Sequence, residues 1–590
     1  MKPGTQDRRL SAHEHKRKEQ ILTQHEPSKV RESTQAVVLK HGSIFLLTKD
    51  SGDIPWSEPH GFGLFYQDCR FLDGYTLSIN GEMPTVLSFV DVRGFETRHY
   101  LANPHISPTD ESAGAGLEKN TISIRRERVI RNGTLHERLR IHNYNQQRVE
   151  LELQLDFRSS FEDIFIMKGF MEDPRGEVLS PRVLYPNRVE LGYEGKDSYT
   201  RTTTLVFSPA PDYLEPERAT FTVVLEPGQD RNLGISISPS EHRTGTRPPP
   251  PAHPALDHSP IKRRHEQAEQ VWLTSSAQIT TSNPLFDQVM HRSLLDLKML
   301  RSHLDGLHYF AAGIPWFVTL FGRDAALVAM QTLPFGPSMA RDTARLLARY
   351  QAQQEDPYKD AEPGKILHEL RTGELAQTNS IPQSPAYYGT VDATVLFLIL
   401  IAEYVNWSGD LDLVAELRPN IDAALGWIDH YSDHNGDGYL DYVGRYEHGL
   451  INQGWKDAGN SIVNADGSMP RPPIAVCEVQ SYTFRAWRQI AGLFRALGED
   501  TRADELDRRA EEMRLRFERD FWSEELGCYV LALQENGEPA AVVSSNTGHL
   551  LWGGIASRER AARVAERLMQ PDMFSGWGIR TLSSKEKAFN

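Results

Sequence analysis

The chain has 590 residues, with 65 Lys plus Arg against 80 Asp plus Glu, a net charge of −15. That length implies about two to four domains, and the acidic balance argues against a general nucleic-acid binder, whose phosphate contacts need a surplus of Lys and Arg on one face. A composition of 39% hydrophobic and 25% charged residues excludes wholesale disorder, and the longest apolar run, the eight residues Val395–Ala402, is too short for a bilayer, which takes about 20.

Residues 1–34 read as a polar tail, rich in Lys, Arg, Glu, Gln and His, with no apolar signal-peptide core. Cys69, Cys477 and Cys528 lie far apart with no CxxC pair. They fit a reducing compartment, so a cytoplasmic location without membrane or nucleic-acid partners is expected.

Residues 35–240 follow a period of two. Val149, Leu151, Leu153, Leu155 and Phe157 alternate with Glu150, Glu152, Gln154 and Asp156, the pattern of a strand with one buried face. Leu135, Leu139 and Ile141 carry the same rhythm one strand earlier. Asn80-Gly81 and Asn132-Gly133 mark tight turns needing positive φ. Further strands are expected at Val37–Leu39, Ser43–Leu47, Phe71–Ile79, Thr203–Phe207 and Phe221–Leu225. Many antiparallel strands joined by such turns predict a β-sandwich. Residues 241–275 then read as a linker, because Pro248–Pro251 favours extended polyproline geometry.

From residue 276 the period becomes helical. Asn283-Pro284 opens a helix over Leu285–Leu300. Others are predicted at Asp324–Gln331, Ser338–Gln351, Val391–Asn406, Asp410–Tyr431, Cys477–Leu497, Ala503–Phe521 and Arg558–Met569, with Pro419 kinking the fifth of the eight. The segment VLFLILIA is apolar on every side and should be buried among other helices.

Four loop segments of this half carry candidate chemistry. In IPWFVTLFGRDAALVA, Trp316, Phe317, Arg323 and Asp324 suit a polar-aromatic pocket for sugars, whose ring faces stack on aromatics and whose hydroxyls pair with carboxylates and guanidinium groups. A helix cap is the competing reading for Asp324, and equally for Asp392 in TVDAT. In GWKDAGNS, Asp457 follows Trp455 and Lys456. An acid beside a Trp and away from bulk water suits a general acid, although Asp-Ala-Gly-Asn is also good turn chemistry. In AVCEVQSY, Glu478 and Gln480 sit in an apolar frame at a helix start, as ligand contacts or as caps. A fifth segment, Asp433–Asp441, begins like a calcium loop, but its twelfth position is Gly444 instead of Glu, so an Asx-rich turn is favoured over a metal site. No phosphate loop, zinc helix or nucleophile elbow occurs in the helical half. Acids among aromatics are the usual equipment of glycoside hydrolysis.

With FGRDA, TVDAT, GWKDAGNS and EVQSY in that order behind a β domain, the sequence resembles the bacterial and archaeal amylo-alpha-1,6-glucosidase, or glycogen-debranching-like, proteins of the six-hairpin glycosidase group. HGSIFLLTKDSGDI and GLFYQDCRFLDGYTLSINGEMP are similar to their N-terminal β domain. The resemblance implies an N-terminal antiparallel β-sandwich followed by an (α/α)6 barrel over residues 276–590. It implies inverting hydrolysis of an α-glucosidic bond in a glucan or oligosaccharide, with no covalent nucleophile and no cofactor. Asp457 would be the general acid. Arg323, Asp324 and Asp392 would contact the terminal sugar, Glu478 and Gln480 would line the pocket, and Trp316 and Trp455 would wall it. Proteins of this group continue past SGWGIRTLSSKEKAFN into a segment holding the last hairpins and the general base. The barrel is therefore expected to lack those hairpins, with about nine helices where twelve complete it. Glu478 or Glu447 substitutes for the base only at about 6.5–9.5 Å from Asp457. A hydrolase of a small glycoside or disaccharide, a phosphorylase, and a catalytically incomplete carbohydrate-binding protein are the alternatives.

Overall fold

The computed structural model describes residues 36–56, 60–92, 94–107, 116–169, 175–246, 248–383, 385–444 and 449–589. The polar tail and Glu447 lie outside them. The described residues divide into two compact units, one within 36–39, 44–92 and 96–258, the other within 40–43, 94–95 and 259–589.

The strands of the β region are β1 (Val37–His41), β2 (Ile44–Thr48), β3 (Gly63–Tyr66), β4 (Cys69–Leu72), β5 (Gly74–Ile79), β6 (Thr85–Val92), β7 (Glu96–Ala102) and β8 (Ile122–Arg131). They continue as β9 (Thr134–Asn143), β10 (Val149–Arg158), β11 (Glu177–Leu184), β12 (Arg188–Glu194), β13 (Tyr199–Ser208), β14 (Tyr213–Glu215), β15 (Arg218–Leu225) and β16 (Asp230–Arg243). They form a sheet ordered β1-β2-β3-β4, a second ordered β14-β15-β10-β5, and an eight-stranded sheet ordered β11-β12-β13-β16-β9-β8-β7-β6. In β10 the apolar positions are buried and the alternating polar ones are exposed or half-exposed, as the period demands. The eight-stranded sheet faces the second sheet through aromatic rings. Phe207 of β13 lies 6.0 Å from both Phe157 of β10 and Phe221 of β15.

Asn132 (φ 48°) and Gly133 (φ 73°) close the β8–β9 hairpin with the two successive positive φ values that its two-residue turn requires. Asn80 and Gly81 also take positive φ, but they separate β5 from β6, which belong to different sheets. The single strand expected over Phe71–Ile79 is two strands, β4 and β5, broken at Asp73 and shared between two sheets. A buried ion cluster locks the interior. Glu137 of β9 accepts from Arg126 Nε (2.8 Å), Arg128 Nε (3.0 Å) and the Tyr75 hydroxyl (2.6 Å), and Arg126 also reaches Asp53 at 2.5 Å.

The expected linker is shorter than its composition suggests. Strand β16 runs to Arg243, and a helix forms over Ser259–Ser275, leaving about residues 244–258 as connection. That helix buries only Ile261, His265 and Glu269, so it carries too thin an apolar stripe for its period to be read.

In the helical unit, Asn283 caps the helix Pro284–Leu300 by accepting from the amides of Leu285 and Phe286, with Pro284 in the first turn. Four helix pairs then follow. Gly322–Gln331 packs on Ala393–Ser408, which packs on Cys477–Ala496, which packs on Asn546–Gly553. Each of these inner helices is followed by one that packs against it: Ser338–Arg349, Arg418–His430, Asp500–Asp520 and Arg558–Leu568. Burial follows the layer. Ala393–Ser408 buries twelve residues, whereas Arg558–Leu568 buries only Val564 and Leu568. Pro419 does not kink a long helix. It sits in the first turn of Arg418–His430, after a separate short helix Asp412–Glu416, where its missing N–H costs nothing. Because each outer helix carries the chain back, the inner helices start at the same end of the layer. No helix of the described residues is long and apolar enough to cross a membrane.

Candidate functional site

The sequence-selected acids gather where the inner helices begin. Arg323 and Asp324 lie in the first turn of Gly322–Gln331, Asp392 directly precedes Ala393, Glu478 is the second residue of Cys477–Ala496, and Asn546 opens Asn546–Gly553. None of these helix starts has a side-chain cap, so capping does not account for Asp324, Asp392 or Glu478.

Arg323 is the hub. Its buried guanidinium reaches Asp392 at 3.1 Å, Asp457 at 3.5 Å and Asp324 at 3.8 Å. Asp392 is fully buried and also accepts from the Thr390 hydroxyl at 2.6 Å. The side chains of Asp324 and Asp457 remain 38% and 42% exposed, so both open toward solvent from the same cation. Burial pushes the Asp457 carboxyl above the ordinary aspartate range; Arg323 pulls it down, and Asp324 and Asp392 add to the rise. Asp324 is raised in the same way, by burial first and by Asp392 and Glu369. Two half-exposed carboxyls inclined to hold protons, fixed beside one guanidinium, suit proton transfer to a bound oxygen.

Trp455 is half-buried beside this group. Its ring lies 5.7 Å from His549 and carries the Lys456 ammonium at 5.2 Å. Its buried indole N–H has no hydrogen-bond partner among the described residues. Lys456 donates to the Thr581 carbonyl at 2.6 Å, and burial lowers it to about 8 against the opposing pull of Glu478. Glu478 is enclosed, accepting from Asn546 Nδ2 at 2.9 Å and from the Cys477 thiol at 3.7 Å; burial pushes its carboxyl up. Trp316 is buried, and its carbonyl accepts from Arg371 at 3.1 Å, while its neighbour Phe317 is exposed.

Gln480 departs from the expected pocket role. Its amide donates to the Leu440 carbonyl at 2.7 Å and the Val476 carbonyl at 3.1 Å, and its oxygen accepts from the Leu440 amide at 2.9 Å. These bonds use both donors, so Gln480 anchors the loop before the site instead of meeting a ligand. The Asp433–Asp441 loop turns its acids onto itself. Asp433 accepts from the amides of Gly436, Asp437 and Gly438, and Asp441 from that of His434. Among the described residues no group of three or more His, Cys, Asp or Glu is arranged to hold a metal.

Sequence reasoning missed the segment His368-Glu369-Leu370-Arg371. It is buried beside Arg323, with Arg371 Nε bonded to Glu369 at 2.7 Å and its guanidinium over the Phe321 ring at 5.3 Å. Burial and the cations Arg323 and Arg371 drive His368 down to about 3, so it stays neutral. Three charges and a histidine interleaved with three apolar residues in KILHELR were the available signal.

Residues 39–236 match the N-terminal domain of (some) glycogen debranching enzymes. Residues 320–590 match the mannosylglycerate hydrolase MGH1-like glycoside hydrolase domain. No curated protein matches the chain. Among solved structures, a bacterial glucoamylase complexed with acarbose aligns over 92% of this chain and 79% of its own, at 11% identity and TM-score 0.54. A putative kojibiose phosphorylase from the human microbiome aligns over 84% and 69%, at 9% identity and TM-score 0.49. A mannosylglycerate hydrolase from Thermus thermophilus aligns over 48% and 78%, at 16% identity and TM-score 0.37. The glucoamylase likeness gives the fold, a β domain followed by helices of the (α/α)6 type.

Proposed function

Because the chain joins a glycogen-debranching-type N-terminal domain to a glycoside hydrolase-like helical domain, we propose that it hydrolyses an α-glucosidic bond in a glucan or oligosaccharide, as amylo-alpha-1,6-glucosidases do, with Asp457 as general acid. The observation that carries this reading is the convergence of Asp324, Asp392 and Asp457 on Arg323, with Asp457 half-exposed and its carboxyl raised.

In this reading the protonated Asp457 carboxyl donates to the glycosidic oxygen as the bond to the anomeric carbon breaks. The Asp457 carboxylate left behind is met by the Arg323 guanidinium, which is already in place and needs no reorganisation. Asp392, fully buried between Arg323 and Thr390, holds that guanidinium in place beside Asp457. The Trp455 ring and its unpaired N–H supply a stacking face and a donor beside the leaving group. Water attacks the opposite face with inversion, the proton it sheds passes to bulk water, and no covalent intermediate forms.

The match to a mannosylglycerate hydrolase-type domain favours a second reading, a hydrolase of a small glycoside on the same site. Product release from limit dextrin, isomaltose and maltose, set beside glucosylglycerate and mannosylglycerate, separates the two. Glucose released from a dextrin supports the first; cleavage confined to the small glycosides overturns it. No cleavage of any of them by a folded protein refutes both. Repeating the assay with and without inorganic phosphate distinguishes hydrolysis from phosphorolysis.

A further inference from the structure

A groove of about 1230 Å³ lies wholly within the β unit, apart from the acids around Arg323. Its floor is the outer face of the eight-stranded sheet. Strand alternation puts Val189, Leu205, Ile235, Ile237 and Leu135 into the core. The residues between them face the other way, and those are polar.

The register aligns them. Arg182 pairs with Glu190, Glu190 with Thr204, and Thr204 with Ser238. Ser238 in turn meets the Thr134 hydroxyl at 3.0 Å. This row crosses five neighbouring strands, β11, β12, β13, β16 and β9. At the usual strand spacing of about 4.8 Å it is about 19 Å long, enough for several sugar rings end to end. Pro248–Pro251 line one side of the groove and Tyr66 another. The proline run is fixed at its end, because Ala252 accepts from the Ser236 hydroxyl at 2.6 Å.

Two features point to a ligand. His136 is 7% exposed and its Nδ1 has no hydrogen-bond partner among the described residues, nor has the buried Ser240 hydroxyl. The side chains of Arg131 and Arg188, which line the groove, make no ion pair among the described residues. Buried polar atoms without partners are costly and uncommon.

We propose that this groove is a second, non-catalytic binding site for a linear, neutral oligosaccharide. Three hydroxyls in a row, continued by a carboxylate and a guanidinium group, match the donors and acceptors of a sugar chain. The proline and tyrosine sides supply apolar surface for ring C–H faces. Cations and acids both line the groove, Arg131, Arg182 and Arg188 with Glu190 and Glu241, so it favours a neutral chain over a polyanion.

The test is calorimetric titration of the full chain with maltoheptaose, isomaltoheptaose and mannohexaose, with hydrogen exchange read at Thr134–Asn143 and Asp230–Arg243. At least one saccharide is expected to bind and to protect those two strands. Arg188→Ala should weaken that binding about tenfold, and Ser240→Phe, which puts a ring into the groove, should weaken it at least as much. An Asp457→Asn background should leave it intact, so the groove can be tested whether or not hydrolysis occurs. Should none of the three saccharides protect the strands, or should binding survive both groove substitutions, the proposal is wrong. If either variant misfolds, the exchange pattern of the wild-type chain decides alone.

Discussion

Replacing Arg323 with Met removes the cation from the centre of the acid cluster and keeps most of its volume. The cost can be apportioned from the geometry. Asp392 is fully buried and would keep only the Thr390 hydroxyl, and breaking a buried pair on one side costs about 3–5 kcal/mol. Asp324 and Asp457 are over one-third exposed, so losing contacts at 3.8 and 3.5 Å adds no more than about 1 kcal/mol each. Urea unfolding, read on the transition of the helical unit, should therefore show a loss of about 3–5 kcal/mol. Pairing Arg323→Met with Asp392→Asn removes the stranded charge. The double variant should recover most of the loss, giving a coupling of at least about 2 kcal/mol. Any residual activity of Arg323→Met should persist to higher pH, since Arg323 is the group that pulls the Asp457 carboxyl down. A single variant within about 1 kcal/mol of wild type, or a double variant no better than the single, would refute this account of the hub.

Gln480→Ala should lower stability by about 2–4 kcal/mol, because it strands the Leu440 amide and carbonyl, and should change KM less than kcat; a selective rise in KM would return Gln480 to the pocket. Glu137→Gln leaves Arg126 and Arg128 without their shared carboxylate and should destabilise the β unit by about 3–5 kcal/mol, measured by denaturant titration. Glu137 is held down to about 2 by its two arginines. Its contribution is thus complete above the ordinary glutamate range and is lost as the pH falls toward 2, so acid titration should unfold the β unit across that window in wild type and show a shallower loss in the variant. The raised Asp457 carboxyl has the opposite sign, stabilising the fold at low pH and losing that contribution as the pH rises through its folded value. Asp457→Asn should make this dependence shallower in the helical unit, the remainder coming from Asp324 and Glu478, which burial raises in the same way.

The strand alternation of β10 and the Asn132-Gly133 turn were legible because their causes are local: burial at every second position and two positive φ values in sequence. The same holds for Asn283-Pro284, which caps and opens its helix. The helix over Ser259–Ser275 was hidden by the prolines before it and by its few apolar positions. At the site, the acids stood out as residue types, but their roles did not. Arg323 and Asp392 are 69 positions apart, and nothing local ties them together. Asp392 and Gln480 sit at similar helix starts in similar apolar surroundings. One turns to a distant guanidinium and the other to the backbone of Leu440. Glu369 and Arg371 were passed over because the two-residue strand Glu369–Leu370 carries no period.

The leaving-group dependence of Asp457→Asn tests the general-acid assignment most directly. Aryl glucosides spanning good to poor leaving groups should be compared in wild type and variant, with kcat/KM read for each. A lost proton donor matters only where the departing oxygen needs the proton, so the variant should approach the wild-type rate on dinitrophenyl glucoside and fall by about 10²–10⁴ on a poor leaving group such as an alkyl glucoside. An equal loss across the series, or no loss at all, would mean that Asp457 is not the acid.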